Sequence, residues 1–191
     1  VGERAAAMAE RLRSAARATV RDPAGTELVA SAFDLAMAAR RGRLEPTSPS
    51  YLHPGRTGLI LLVDAEVREP DVVAAGILLD TAAPGLEATV DPDASLSRAA
   101  ALRDAVPEAP RDTTEDLRLA LLEAPAAVRT VAVAEALDRF RHLHLLDSSA
   151  WRTLHEWAER AYLPAAELSH PTLARRMRWW CGMFRRRYIR A

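Results

Sequence analysis

The chain of 191 residues has no Lys, no Asn and no Gln, and a single Cys, Cys181. One thiol cannot close an intrachain disulfide, so a reducing cytoplasm is the expected setting. Net charge is also missing: 26 Arg balance 26 Asp and Glu, with no overall pull toward nucleic acid or membrane. The longest apolar run, residues 59–63, is far too short to span a bilayer. Residues 1–20 are charged throughout, which argues against a signal peptide. No segment alternates apolar and polar residues with period two, so strands are not expected. Because every strong base is Arg and Ala is abundant, a Lys or Asn missing from a motif reflects genomic bias as well as lost function.

What is present reads as helix, and the expected class is all-α, a single domain over residues 1–191. A helix is expected over residues 3–20, ended by the turn signal of Asp22, Pro23 and Gly25. Thr26 is the expected cap of the next helix, 27–41, whose apolar face carries Val29, Ala32, Phe33, Ala36 and Met37. A Ser/Pro loop then delivers Tyr51-Leu52-His53-Pro54, and Pro54 suits the first turn of a helix running to about Ala65. Pro70 opens a further helix that stops before Pro84-Gly85. Residues 85–115 read as loops around a short helix, 95–105. Helices follow at 115–123 (capped by Thr114), at about 125–145 and at 149–162 (capped by Asp147 or Ser148). Pro171 opens the last one. From Pro171 onward the chain holds seven Arg and no acid, leaving 19 basic and 26 acidic residues elsewhere, a net charge of −7. Such asymmetry points to an interaction tail.

Four stretches in order carry a resemblance: AFDLAMAARRGRLEPTSPSYLHP, REPDVVAAGILLDT, LRLALLEAPAAVRTVAVAEALDRFRHL and LHEWAERAYLPAAELSHPTLARRM. Together they resemble the hydrolase domain of RelA/SpoT-type proteins, an HD domain. They look closest to the small stand-alone alarmone hydrolases of the metazoan SpoT-homologue type. The resemblance covers roughly residues 27–178, with a core at about 27–168 and a basic, aromatic C-terminal helix at about 171–191. It implies a single HD-type helical bundle. In that family two His and two Asp hold one divalent metal, usually manganese, and a Glu-Asp pair assists the attacking water. The reaction removes the 3′-diphosphate of guanosine tetra- or pentaphosphate. Metal and carboxylates suit it, since the ion lowers the pKa of bound water and neutralises phosphate charge.

Carried over by position, the resemblance makes His53, Asp80 and Asp138 the metal ligands. Leu79 stands where the HD histidine belongs and has no lone pair to give. Ala83 and Pro84 occupy the acidic-pair positions. The histidine at the end of the family's opening helix is Arg40, and its glutamine is Arg43. The family's base-contacting basic residue falls near Leu44-Glu45. The Asn after the distal Asp is His142, and a Lys before it is Glu135. The expected nucleotide contacts are Arg43, Arg139 and His142, with a guanine nucleotide or other phosphorylated small molecule as partner. The implied function is that of a degenerate HD-domain protein without an intact catalytic set, serving as a ligand-binding, regulatory or scaffold domain. The alternative is a divergent metal-dependent phosphohydrolase in which Glu87, Asp91 or Asp93 supplies the base. If no metal is held, an Arg should take over its charge, and Arg139 and Arg141 are the nearest in sequence.

Other features read more plainly. His142 and His144 are two apart on a helix and face different ways, which argues against a second metal site with His155. Cys181 beside Trp180 reads as a packed or surface thiol. The tail MRWWCGMFRRRYIR interleaves Arg with Trp179, Trp180, Phe184 and Tyr188. It is read as a terminal helix whose aromatics pack on the domain or on a second copy. Its Arg would be solvated or paired with Glu10 or the acids of 85–116. Single-stranded nucleic acid and an anionic membrane surface are the other two readings.

Overall fold

The computed structural model describes residues 2–82, 94–107 and 113–189. The expected all-α class holds: among the described residues there are helices and no strands. Ala83, Pro84, Glu87, Asp91, Asp93 and Arg190 lie outside the described residues. The chain divides into two compact units, Val1–Ala105 and Val106–Ala191.

The first unit contains α1 (Glu3–Thr19), α2 (Pro23–Arg40), α3 (His53–Leu59), α4 (Pro70–Leu78) and α5 (Ser97–Asp104). Helix α2 starts three residues before the expected Thr26 cap. Asp22 is the N-cap instead: its carboxylate accepts from the N–H groups of Ala24 and Gly25, with Pro23 at the first helical position. Thr26 turns its hydroxyl back to the carbonyl of Asp22 at 3.0 Å. Helix α3 passes into a π-helical turn, Ile60–Asp64, and α4 into a 3₁₀ turn, Leu79–Ala82. Helix α2 packs against α1 and α4, and α4 also packs against α3 and α5.

Glycines set how closely these helices approach. A Cβ on Gly58 would meet Ile77 and Leu12 at 2.9 Å, and one on Gly76 would meet Leu61 at 2.5 Å. Such spacing leaves no room for one extra methyl without a shift of neighbours. The surrounding core is mainly aliphatic, with Leu12, Val29, Leu61, Leu62, Val73, Ile77 and Leu78 buried around Phe33.

The second unit contains α6 (Thr114–Glu123), α7 (Ala126–Arg141), α8 (Trp151–Trp157), α9 (Leu163–Ser169) and α10 (Pro171–Tyr188). Thr113, not Thr114, caps α6: its hydroxyl accepts from the N–H of Asp116 at 3.1 Å. Asp147 caps the 3₁₀ turn Ser148–Ala150 as expected. The helix expected to end at Tyr162 continues through a π-helical turn, Ala158–Tyr162, into α9, where Pro164 falls in the first turn and needs no N–H. Helix α7 packs on α9, and α10 packs on α9 and α7.

This core is aromatic. Phe140 stacks on Trp180 at 5.3 Å, and Trp180 on Phe184 at 4.8 Å. Tyr162 meets Phe140 edge-on, and Trp151 meets Phe184 and Tyr188 edge-on. Offset and edge-on rings of this kind add roughly 0.5–1.5 kcal/mol per pair beyond burial. The tail aromatics Trp180, Phe184 and Tyr188 are therefore used inside this unit.

Candidate functional site

In the first unit the C-terminal end of α2, the start of α3 and the end of α4 bring together Arg40, His53 and Asp80. Arg40 continues the apolar face of α2 at helical spacing from Val29, Phe33 and Ala36, so the helix carries it inward. It is fully buried. Its Nη2 donates to Asp80 Oδ2 at 2.8 Å, and its Nη1 donates to the carbonyl of Ala36 at 3.2 Å. Its Nε has no hydrogen-bond partner among the described residues. Burial lowers the pKa of the guanidinium, and the neighbouring Asp80 pulls it part of the way back. The group starts so high that it stays charged, and a buried charge of this kind needs its counterion.

His53 is buried at the first turn of α3, with Nε2 at 3.6 Å from the same Asp80 Oδ2. The two sequence-predicted ligands of this unit do meet, with donor atoms inside the 4.8 Å that one ion spans. Yet Asp80 Oδ2, the oxygen that faces His53, already holds Arg40. Leu79 contributes no donor atom. A divalent cation between His53 and Asp80 would sit against a guanidinium and would have to displace it. The donor set of this unit thus fits an internal ion pair better than a metal. Arg43 stands exposed in the turn after α2.

In the second unit α7 carries the other predicted residues. Asp138 and Glu135 are both buried. Arg139, predicted as a nucleotide contact and nominated to neutralise the ligand aspartates, instead clasps Glu135 on its own helix. It does so with both Nε, at 2.9 Å, and Nη2. Spacing of i, i+4 on one face dictates that pairing, and a fork-to-carboxylate geometry holds it. Arg141 is exposed. His142 closes the helix: its Nδ1 lies 2.8 Å from the Asp138 carbonyl and 3.9 Å from the Asp138 carboxylate.

The remaining histidines make contacts within this unit. His155 is buried, with Nε2 at 2.9 Å from the carbonyl of Cys181, and stacks on Phe184. His144 stacks on Tyr188. Burial pushes the Cys181 thiol up to about 12, which makes it a poor nucleophile. The same cause lifts Tyr162 to about 12, with Arg139 opposing the rise.

The charge-compensating residue was expected on α7, from Arg139 or Arg141, and is found on α2. The signal was present in the sequence. A charged residue on the buried stripe of an amphipathic helix must find a partner, and Arg40 was the one such residue on the helix leading to His53. Compared with known proteins, the chain matches no family model and no curated protein sequence.

Proposed function

We propose that the chain is a catalytically silent relative of the alarmone hydrolases, acting as a ligand-binding or scaffold domain, in which Arg40 supplies the positive charge that the family takes from its metal. The observation that carries this reading is the pairing of the buried Arg40 with Asp80 beside His53. The order of the four stretches supports the ancestry. Leu79 at the ligand position, with Ala83 and Pro84 at the acidic-pair positions, supports the loss of reaction. Phosphohydrolysis at such a centre needs an activated water, and loss of a general base alone costs about 10²–10⁴-fold in rate. The ligand class that suits the ancestry is a guanine nucleotide or another phosphorylated small molecule.

The test is diphosphate release from guanosine tetraphosphate with manganese supplied, alongside a thermal-shift titration with the same nucleotide. No release, with a nucleotide-dependent rise in melting temperature, is the expected pair of results. Release at the rate of an intact alarmone hydrolase would overturn the reading.

One observation favours the second reading, a divergent metal-dependent phosphohydrolase: His53 and Asp80 keep donor atoms within reach of a single ion. In that case manganese would displace Arg40 from Asp80, and Arg40→Ala would tighten metal binding.

A further inference from the structure

The last helix, α10, has two faces. At 3.6 residues per turn, Leu173, Met177, Trp180, Cys181 and Phe184 fall on one side, and all are buried. Arg175, Trp179, Gly182 and Arg186 fall within about 60° of one another on the opposite side. Trp179 is 65 % exposed, an unusual place for the largest side chain. Arg175 and Arg186 are exposed, and neither has an ion-pair partner among the described residues. Arg178 and Arg185 border the stripe and are held by Glu167 and Glu159 of the same unit. The tail's arginines were expected to pair with Glu10 or the acids of 85–116; these two pair locally instead. Gly182 adds no side chain between Trp179 and Arg186, and the Arg186 guanidinium lies back over it, so the stripe sets an exposed ring beside two cations along about 16 Å of helix.

We infer that this stripe is a docking surface for single-stranded nucleic acid, with Trp179 stacking on a base and Arg175 and Arg186 holding phosphates. Charge complementarity selects an anionic partner, because no acid lies on α10. The free aromatic face selects one with rings to stack. A bilayer surface fits less well. A helix that lies in a membrane needs an exposed apolar face, and here that face is spent inside the unit, with Trp179 the exposed exception. This inference is independent of the proposed function, which rests on the first unit.

The experiment is fluorescence anisotropy of short labelled oligothymidylate and oligouridylate titrated with the full chain, between about 50 and about 200 mM salt. Both oligonucleotides should bind. Neutralising two phosphates should give a log–log salt slope of about −1.4 or steeper, at roughly 0.7 per contact. Trp179→Ala should weaken binding by about 5–150-fold, the range for one stacked base. Arg175→Glu with Arg186→Glu should abolish binding. All three side chains are exposed, and far-UV circular dichroism checks that the variants fold. Unchanged affinity in both variants would overturn the inference. So would binding to phosphatidylglycerol vesicles without binding to oligonucleotides, or a Trp179→Ala effect confined to self-association in sedimentation.

Discussion

The two units bury polarity in opposite ways. The first buries a cation, Arg40, against a partly exposed Asp80 with His53 alongside, in a mainly aliphatic core whose helices touch through glycines. The second buries the acid instead, Glu135, clasped by a partly exposed Arg139 on the same helix, and fills its interior with stacked rings. A pair across three elements fixes how they meet, because each partner is costly without the other. A pair within one turn fixes only a side-chain rotamer. The difference teaches where sequence change should be felt. In the first unit it is charge and glycine size; in the second it is aromatic volume.

Removing aromatic volume should have the largest effect. Trp180→Ala deletes a fully buried ring that touches Phe140, His155 and Phe184, and should cost about 3–5 kcal/mol in urea denaturation. A loss below about 1 kcal/mol would mean the stack is not the core of this unit. Next comes Arg40→Met, which leaves Asp80 without its counterion. Because Asp80 is 29 % exposed, the cost should fall near the lower end of the range for broken buried pairs, about 3 kcal/mol. Arg40→Met with Asp80→Leu should recover most of it, and the coupling in that double-mutant cycle checks the pair. Arg139→Met leaves Glu135, only 3 % exposed, without its clasp and should cost about 1–3 kcal/mol.

Gly58→Ala should cost about 1–3 kcal/mol by pushing Ile77 and Leu12 aside. The smallest effect is on alkaline stability. Tyr162 moves from 10.0 to about 12 and Cys181 from 9.0 to about 12, both through burial. The folded state therefore holds these protons more tightly than the unfolded chain does. That contribution is complete below about pH 9 and is lost as pH rises toward about 12. Tyr162→Phe and Cys181→Ala together should flatten the fall in melting temperature above pH 9; an unchanged slope would contradict the burial argument.

Much of the fold was legible in the sequence because helix punctuation is local. Pro54, Pro70 and Pro171 each mark a helix start, and Gly42, at φ 75°, sits in the turn that follows α2. At these helix starts the errors were of one residue to four, where two cap residues compete, as Asp22 did with Thr26 and Thr113 with Thr114. The meeting of His53 and Asp80 was legible from a motif that joins two helix ends. The partner of Asp80 was less so. Sequence proximity favoured Arg139 and Arg141, but i, i+4 geometry sends Arg139 to Glu135, while the buried stripe of α2 carries Arg40 inward. Spacing along the chain decides the Glu135–Arg139 pair, and burial decides the Arg40–Asp80 pair.

The central claim is that Arg40 stands where a metal charge would, and it is tested most directly by the manganese content of the full chain after incubation with the ion and dialysis, measured for the native protein and for Arg40→Ala. The account predicts well under one equivalent in the native protein and a gain when Arg40 is removed. One tightly held equivalent in the native protein, lost on Asp80→Ala and unaffected by Arg40→Ala, would contradict it.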